Sequence, residues 1–307
     1  MTQPGFLGTR TAVAFGRFDG VHRGHEALLK ELVRVARDAG IPSVVACLIP
    51  GLNGGPRKRL NTIAECHAMI DRLGVDFVLM LPYNAKFAEL DPVRFYEMVL
   101  RDQLGAQIIV AGDNVVFGRQ RAGNEPLLKQ LAERDAIDLI TVPSVRRDDR
   151  PITSERIMAA LRAGEIDDAN AMLGHTHFYR GEIVLGNQLG RTVGMPTANM
   201  AVAPFLQLPK YGVYGTLIRV DGLWHKGLTN IGTRPSVDNY DYVTIETYIL
   251  DFDEDLYGKS VELELHAFIR GIQKFDGIEA VKAQVGRDIE RIRDRLDGLV
   301  TPDGKKR

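Results

Sequence analysis

Phe15-Gly16-Arg17-Phe18-Asp19-Gly20-Val21-His22-Arg23-Gly24-His25 is the stretch that decides how the first half of this chain is read. It follows the short apolar run Thr11–Phe15, whose composition predicts a buried strand. It precedes Glu26–Ala39, in which Leu28, Leu29, Leu32, Val33, Val35 and Ala36 recur at helical spacing. Strand, glycine turn, paired histidines and helix in that order set His22 and His25 at the mouth of a helix. Helix N-termini carry unpaired N–H groups and partial positive charge, so they hold anions. Imidazoles placed there donate hydrogen bonds to phosphate oxygens and stabilise charge that grows during group transfer. A bare His-x-x-His pair is more often two surface side chains; the full order of features is far more specific.

Working outward, residues 11 to about 150 alternate short apolar runs with helical patterns. Strands are expected at Thr11–Phe15, Pro42–Leu48, Phe77–Leu81, Ile108–Ala111 and Asp138–Val142. Helices are expected at Glu26–Ala39, Ile63–Leu73, Pro92–Leu104 and Glu125–Asp135, with Asp91 as an N-cap and Pro92 and Pro126 in first turns. Such alternation predicts an α/β fold with a doubly wound parallel sheet and a ligand at the carboxyl ends of its strands. Helices at Ser154–Leu161 and Asp167–Leu173 join this half to the next. Beyond Tyr179 the texture changes to alternating β-rich runs at Gly181–Leu185, Val213–Val220, Leu223–Leu228, Val243–Asp251 and Ser260–Phe268. Turns such as Asp221-Gly222 divide them, which predicts an antiparallel β-barrel or sandwich closed by a helix at Ile278–Leu296. The expected domains are residues 1–176 and 177–307.

Composition bounds the partners. The 307 residues fit two domains, with 45% apolar and 26% charged residues. Lys+Arg 39 against Asp+Glu 40 gives a net charge of -1, so neither nucleic acid nor a membrane surface is expected as partner. No apolar run approaches the ~20 residues of a membrane-spanning helix, and the N-terminus lacks a signal-peptide pattern. The two cysteines, Cys47 and Cys66, fall in apolar segments and read as reduced thiols of a cytoplasmic protein. The tail Asp303-Gly304-Lys305-Lys306-Arg307 reads as a frayed, solvated end, and the basic loop Pro56-Arg57-Lys58-Arg59 as a solvated turn. Self-association is neither required nor excluded.

A second cluster follows the loop Gly186-Asn187-Gln188-Leu189-Gly190-Arg191-Thr192 at Gly194-Met195-Pro196-Thr197-Ala198-Asn199. Glycines let backbone N–H groups approach phosphates. The Thr197 hydroxyl and Asn199 carbonyl are hard oxygen donors of the kind Mg²⁺ accepts beside nucleotide phosphates. On residues alone, an ordinary β-turn is the better reading.

Phe15–His25 resembles the Gly-x-Phe-Asp-Gly-Val-His-x-Gly-His signature of the nucleotidyltransferase half of bacterial bifunctional riboflavin kinase/FAD synthetases (FMN adenylyltransferases). Pro196-Thr197-Ala198-Asn199 is similar to the nucleotide and Mg²⁺ motif of their kinase half. Tyr211–Tyr214, Asn230–Pro235, Ile245–Thr247, Asp255–Gly258, Ile269-Arg270 and Lys274-Phe275 continue that likeness over nearly the whole second half. The resemblance implies that His22 and His25 contact the triphosphate, with Gly16, Asp19, Gly24, Asn114 and Ser154 around the nucleotide. It implies Gly186, Gly190 and Arg191 at the kinase phosphates, Thr197 and Asn199 on Mg²⁺, and Asn230 and Arg270 on the flavin. Glu246 is then the base that accepts the proton of the flavin ribityl hydroxyl as that oxygen attacks ATP. ATP is the co-substrate, riboflavin and FMN the acceptors, and FMN and FAD the products.

The chain also departs from that pattern. Gln188 and Leu189 replace a glycine and an arginine of the phosphate loop. Gly51 stands where a histidine is usual, and Glu155 and Met158 where a threonine and an arginine are usual. A carboxylate beside a triphosphate is unfavourable, and losing a bidentate arginine removes a strong phosphate contact. The alternative is therefore a riboflavin kinase with a degenerate N-terminal domain. A flavin-binding protein without catalysis is a third reading, against which Thr197, Asn199 and Glu246 together speak.

Overall fold

The computed structural model describes residues 9–50, 58–186, 195–234, 242–301 and 303–306. The chain divides into two compact units, Met1–Ser154 and Glu155–Arg307.

The first unit is a five-stranded parallel sheet of order β3-β2-β1-β4-β7. Its strands are β1 (Thr11–Gly16), β2 (Ser43–Pro50), β3 (Phe77–Tyr83), β4 (Ala106–Gly112) and β7 (Asp138–Val142). The Val, Ile and Ala runs of β1, β2 and β4 are buried, as parallel strands covered on both faces must be, while the edge strands β3 and β7 are half-buried to exposed. Helices α1 (Arg23–Ala39), α2 (Ile63–Asp71), α3 (Ala85–Ala88), α4 (Pro92–Phe95) and α5 (Glu125–Arg134) lie among the strands in chain order. One core cluster joins Phe15, Phe95, Ile109 and Leu128; the other joins Val45, Leu29, Leu32 and Ile70. β1 pairs with β2 on one side and with β4 on the other, so the winding reverses between β1 and β4. Ligands of such sheets bind at that reversal, beyond the carboxyl ends of the strands.

Two local features differ from the sequence expectation. The helix from Pro92 does not run uniformly to Leu104; after Phe95 it widens into π-helical turns over Tyr96–Gln103, with Tyr96, Val99 and Leu100 buried. Two short ribbons, β5 (Val116–Phe117) with β6 (Gly123–Asn124) and β8 (Arg146–Arg147) with β9 (Arg150–Pro151), are too short and polar to give a periodic signal.

In the second unit, β10 (Phe178–Val184), β11 (Thr197–Ala201), β14 (Tyr242–Ile249), β13 (Leu223–Arg234), β12 (Gly212–Val220) and β15 (Ser260–Arg270) close into an antiparallel barrel in that order. The β12–β13 hairpin turns at Asp221 (φ 47°) and Gly222 (φ 91°), the left-handed pair that suits a two-residue hairpin. The helices expected as a connector, α6 (Ser154–Ala163) and α7 (Ile166–Leu173), are built into this unit. Asn170 of α7 donates to Leu265 O and accepts from His177 N–H, and Lys210 N–H donates to Leu161 O of α6. The last helix, α8 (Ile278–Asp297), packs Ile292 and Leu296 on Val213, Leu217 and Leu228. A Cβ at Gly215 would lie 2.9 Å from Ile292, so glycine there lets the helix seat closely.

Among the described residues of the tail, 303–306 are held rather than frayed. Thr301 N–H donates to Lys305 O and Trp224 N–H to Gly304 O, while Lys306 Nζ reaches both carboxylate oxygens of Glu264 at 2.6 and 2.8 Å. A polar pentapeptide carries no sequence sign of these partners, which the fold supplies.

Candidate active sites

In the first unit His22 is the N-cap of α1, so Arg23 opens the helix and Gly24 and His25 lie in its first turn rather than before it. The His22 ring accepts from His25 N–H at 3.4 Å through Nδ1, which fixes the tautomer whose ring proton sits on Nε2. The two imidazoles stack, with centroids 3.7 Å apart and planes 18° from parallel. Burial, and then the neighbouring His22, hold His25 well below the usual histidine range, so it is neutral at pH 7. Its Nδ1 is inaccessible and has no hydrogen-bond partner. A Cβ on Gly24 would meet the His22 ring at 3.2 Å, so glycine keeps that ring in place.

The turn that delivers these histidines is strained. Phe18 (φ 45°), Gly20 (φ 83°) and Val21 (φ 38°) are all left-handed, a region costly for an aromatic and more so for a β-branched residue. Each such non-glycine residue costs about 1–3 kcal/mol and persists where its surroundings over-determine it. Asp19 supplies part of that restraint. Its buried carboxylate accepts Leu60 N–H at 3.1 and 3.2 Å and Asn61 N–H at 3.4 Å, and Ser154 Oγ donates to its backbone oxygen at 2.8 Å. Asp19 and Ser154 therefore touch each other and hold the turn. Gly16 ends β1, and Asn114 is exposed in the turn that leaves β4, the adjacent strand. Glu155 is exposed and Met158 half-buried on the opening turns of α6.

Arg59 differs from the solvated residue expected of its basic loop. It is 3% exposed, its Nη2 lies 3.7 Å from Asp19 Oδ1, and its Nε donates to Asn61 O at 3.1 Å. A basic tripeptide gives no periodic sign of burial; the partner, Asp19, is forty residues earlier in sequence.

In the second unit the segment Thr197–Ala201 is a strand, not a turn, because it pairs with β10 and β14 at once. Its register sets Asn199 opposite Glu246, and β13 sets Asn230 opposite the same Glu246. Directly paired residues share a sheet face. Asn199, Glu246 and Asn230 thus stand side by side on three strands, with Thr197 two residues along on the same face. Burial alternates to match: Thr244, Glu246 and Tyr248 are half-buried, whereas Ile245, Thr247 and Ile249 are buried on the other face. On that buried face the hydroxyls of Thr216, Thr229 and Thr247 form a chain at 2.8 and 2.9 Å. These bonds tie β12, β13 and β14 directly behind the row.

The row continues through Val213 to Arg270. Arg270 Nε donates to Asp288 of α8 at 2.8 Å, and its guanidinium lies over Phe275 at 5.5 Å. Gly186 is a close-approach position, since a Cβ there would fall 2.3 Å from Asn199 Nδ2 and 2.7 Å from Oδ1. Residues 51 and 188–191, and with them Gly51, Gln188, Leu189, Gly190 and Arg191, lie outside the described residues. The donors at Thr197 and Asn199 are hard oxygens, of the kind that suits Mg²⁺. Among the described residues no group of three or more His, Cys, Asp or Glu is arranged to hold a metal ion.

Comparison with known proteins covers both halves of the chain. A family model described as FAD synthetase matches residues 8–156, and one described as riboflavin kinase matches residues 173–296. The bifunctional riboflavin kinase/FMN adenylyltransferase of Listeria monocytogenes is 32% identical, covering 90% of this chain and 89% of its own. The chain belongs to the bifunctional riboflavin kinase/FMN adenylyltransferase family. The member from Escherichia coli strain K12 is 33% identical over 90% of each chain. A solved structure titled as a macrolide-efflux protein from Streptococcus pneumoniae matches at TM-score 0.84 and 29% identity, covering 93% of this chain and 94% of that one. Among the described residues here, no helix is long and apolar enough to cross a membrane.

Proposed function

We propose that this protein makes FMN and then FAD in two separate sites, with functional halves at residues 1–176 and 177–307. In the kinase site the riboflavin 5′-hydroxyl oxygen bonds to the γ-phosphorus of ATP as the bond to ADP breaks. Glu246 accepts the hydroxyl proton. Asn230 and Arg270, on the same row, hold the flavin, and Gly186, Gly190 and Arg191 border the nucleotide phosphates. Thr197 and Asn199 would hold Mg²⁺, which when bound neutralises phosphate charge. The observation that carries this reading is the register that aligns Asn199, Glu246 and Asn230.

In the adenylyl site a phosphate oxygen of FMN bonds to the α-phosphorus of a second ATP and pyrophosphate leaves. His22 Nε2–H and the neutral His25 ring lie where they can donate to phosphate oxygens, at the positive end of α1. Gly16, Gly24, Asn114, Asp19 and Ser154 shape the nucleotide site around them. A cytoplasmic location fits the two buried free thiols.

The test is direct. Purified protein is incubated with riboflavin, ATP and Mg²⁺ and the flavins are separated. FAD is expected; FMN alone would leave a kinase with a degenerate N-terminal half, as Glu155 and Met158 suggest, and unchanged riboflavin would overturn the reading.

A further inference from the structure

We propose that Arg59 is a positioning residue of the adenylyl site: it holds Asp19, and through Asp19 the left-handed turn that aims His22 and His25. This rests on the adenylyl-transfer reading of the first unit, and it assigns a role to a residue outside the histidine signature.

The argument starts from what the turn needs. Three of its four residues from Phe18 to Val21 are left-handed, and two of those carry side chains that disfavour this region. Relaxation of Phe18 or Val21 toward ordinary backbone would rotate the chain entering α1 and carry the His22 cap with it. Two contacts oppose that. Ser154 Oγ holds the Asp19 backbone oxygen, and the 59–61 segment holds its carboxylate through the Leu60 and Asn61 N–H groups. Both N–H donors need an acceptor, so the carboxyl group must be ionised to serve both well.

Burial pushes the Asp19 carboxyl above its usual range, toward the protonated form, and the Arg59 charge is the first of the forces that bring it back. Arg59 is itself almost wholly enclosed and bonds Asn61 O, so cation, carboxylate and both backbone donors form one buried knot. The other charged or titratable groups facing Asp19 are Arg17, Cys47 and Cys66. Burial pushes both thiols up, Cys47 to about 12, so neither replaces the cation. Removing one member of a buried pair leaves the other uncompensated, which is far worse than removing both.

The experiment uses the full chain as wild type, Arg59→Met and Arg59→Lys, and reads three things in each. FMN-to-FAD conversion should lose kcat by at least about tenfold in Arg59→Met with little change in KM for ATP, since a misaimed histidine weakens transition-state contacts. Riboflavin phosphorylation by the same samples should stay within about twofold. The adenylylation rate of Arg59→Met relative to wild type should climb as pH is raised, because Asp19 without its cation ionises only at higher pH. Arg59→Lys keeps the charge and should fall less; if Arg59→Met does not fold, the Lys variant is read in the same way. Amide hydrogen exchange over residues 17–25 should quicken in Arg59→Met whether or not the chain makes FAD.

A folded Arg59→Met with adenylylation within twofold of wild type, a flat relative pH profile, or equal loss of both activities would overturn the assignment. Should wild type make no FAD, the functional reading has failed and the exchange measurement decides alone: unchanged exchange over 17–25 refutes the positioning role.

Discussion

The two candidate sites are built in opposite ways. In the first unit the proposed chemistry is local: His22 and His25 lie three residues apart on one turn, and the fold's task is to hold that turn in a conformation its residues resist. In the second unit nothing is local. Asn199, Asn230 and Glu246 come from three strands and meet only because a closed barrel fixes their register. A one-residue slip would turn each of them to the opposite face. The first design places the chemistry on an adjustable loop held by buried polar contacts. The second places it on a rigid sheet whose hydrogen-bond ladder sets the geometry.

The contrast can be broken most sharply by Glu246→Gln. This change keeps shape and removes the proposed base, so FMN formation should fall by about 10²–10⁴-fold, while FMN-to-FAD conversion by the same sample stays intact. If flavin chromatography showed both steps falling together in a folded protein, the separation of the sites would be refuted. The mirror experiment is His25→Ala. It should cost adenylylation about 10²–10³-fold, the typical loss of one transition-state hydrogen-bond donor, with the kinase step unaffected.

Gly186→Ala sharpens the rigid side of the comparison. Its Cβ has no room beside the Asn199 amide. Asn199 should turn away, raising the kinase requirement for Mg²⁺·ATP by about tenfold, roughly the worth of one contact. Unchanged kinetics would place Asn199 outside the nucleotide site.

The smallest effect concerns stability rather than activity. His177 is wholly buried with neither ring nitrogen hydrogen-bonded, and burial pushes it down to about 3. The folded unit keeps this ring neutral while the unfolded chain takes up a proton below the ordinary value of 6.5. The unfolded state therefore binds more protons between those limits, and stability of the Glu155–Arg307 unit falls as pH drops through the window. The slope approaches about 1.4 kcal/mol per pH unit. His177→Leu should flatten it in thermal unfolding between pH 7 and 5; an unaltered slope would mean that the ring finds a partner in solution.

Legibility in the sequence followed the range of the interactions. Parallel strands are short, largely apolar runs, so the five strands of the first sheet stood out even though β3 and β7 at its edges are half-buried to exposed, and Asp138–Val142 has the bounds its pattern predicts. α1 was visible from its apolar spacing, and its start moved only to Arg23 because His22 takes the cap. β11 was not visible as a strand. Thr197-Ala198-Asn199-Met200-Ala201 has weak β propensity, and its conformation is imposed by partners on both sides. Arg59 and residues 303–306 of the tail were misread for the same reason. A charged residue near turn signals is usually solvated; the distant Asp19 buries Arg59, and the distant Glu264 anchors an exposed Lys306.

By itself, then, the amino-acid order determined the class of each half, the histidine signature at the start of α1, and the presence of Thr197, Asn199 and Glu246. These rest on periodicity and on motifs whose parts are neighbours in the chain. The tertiary structure alone decided that Asn199, Glu246 and Asn230 stand in one row, and that Asp19, Arg59 and Ser154 lock a strained turn. Such contacts join residues tens of positions apart, and their energy depends on burial and register. Neither quantity exists until the chain has closed on itself.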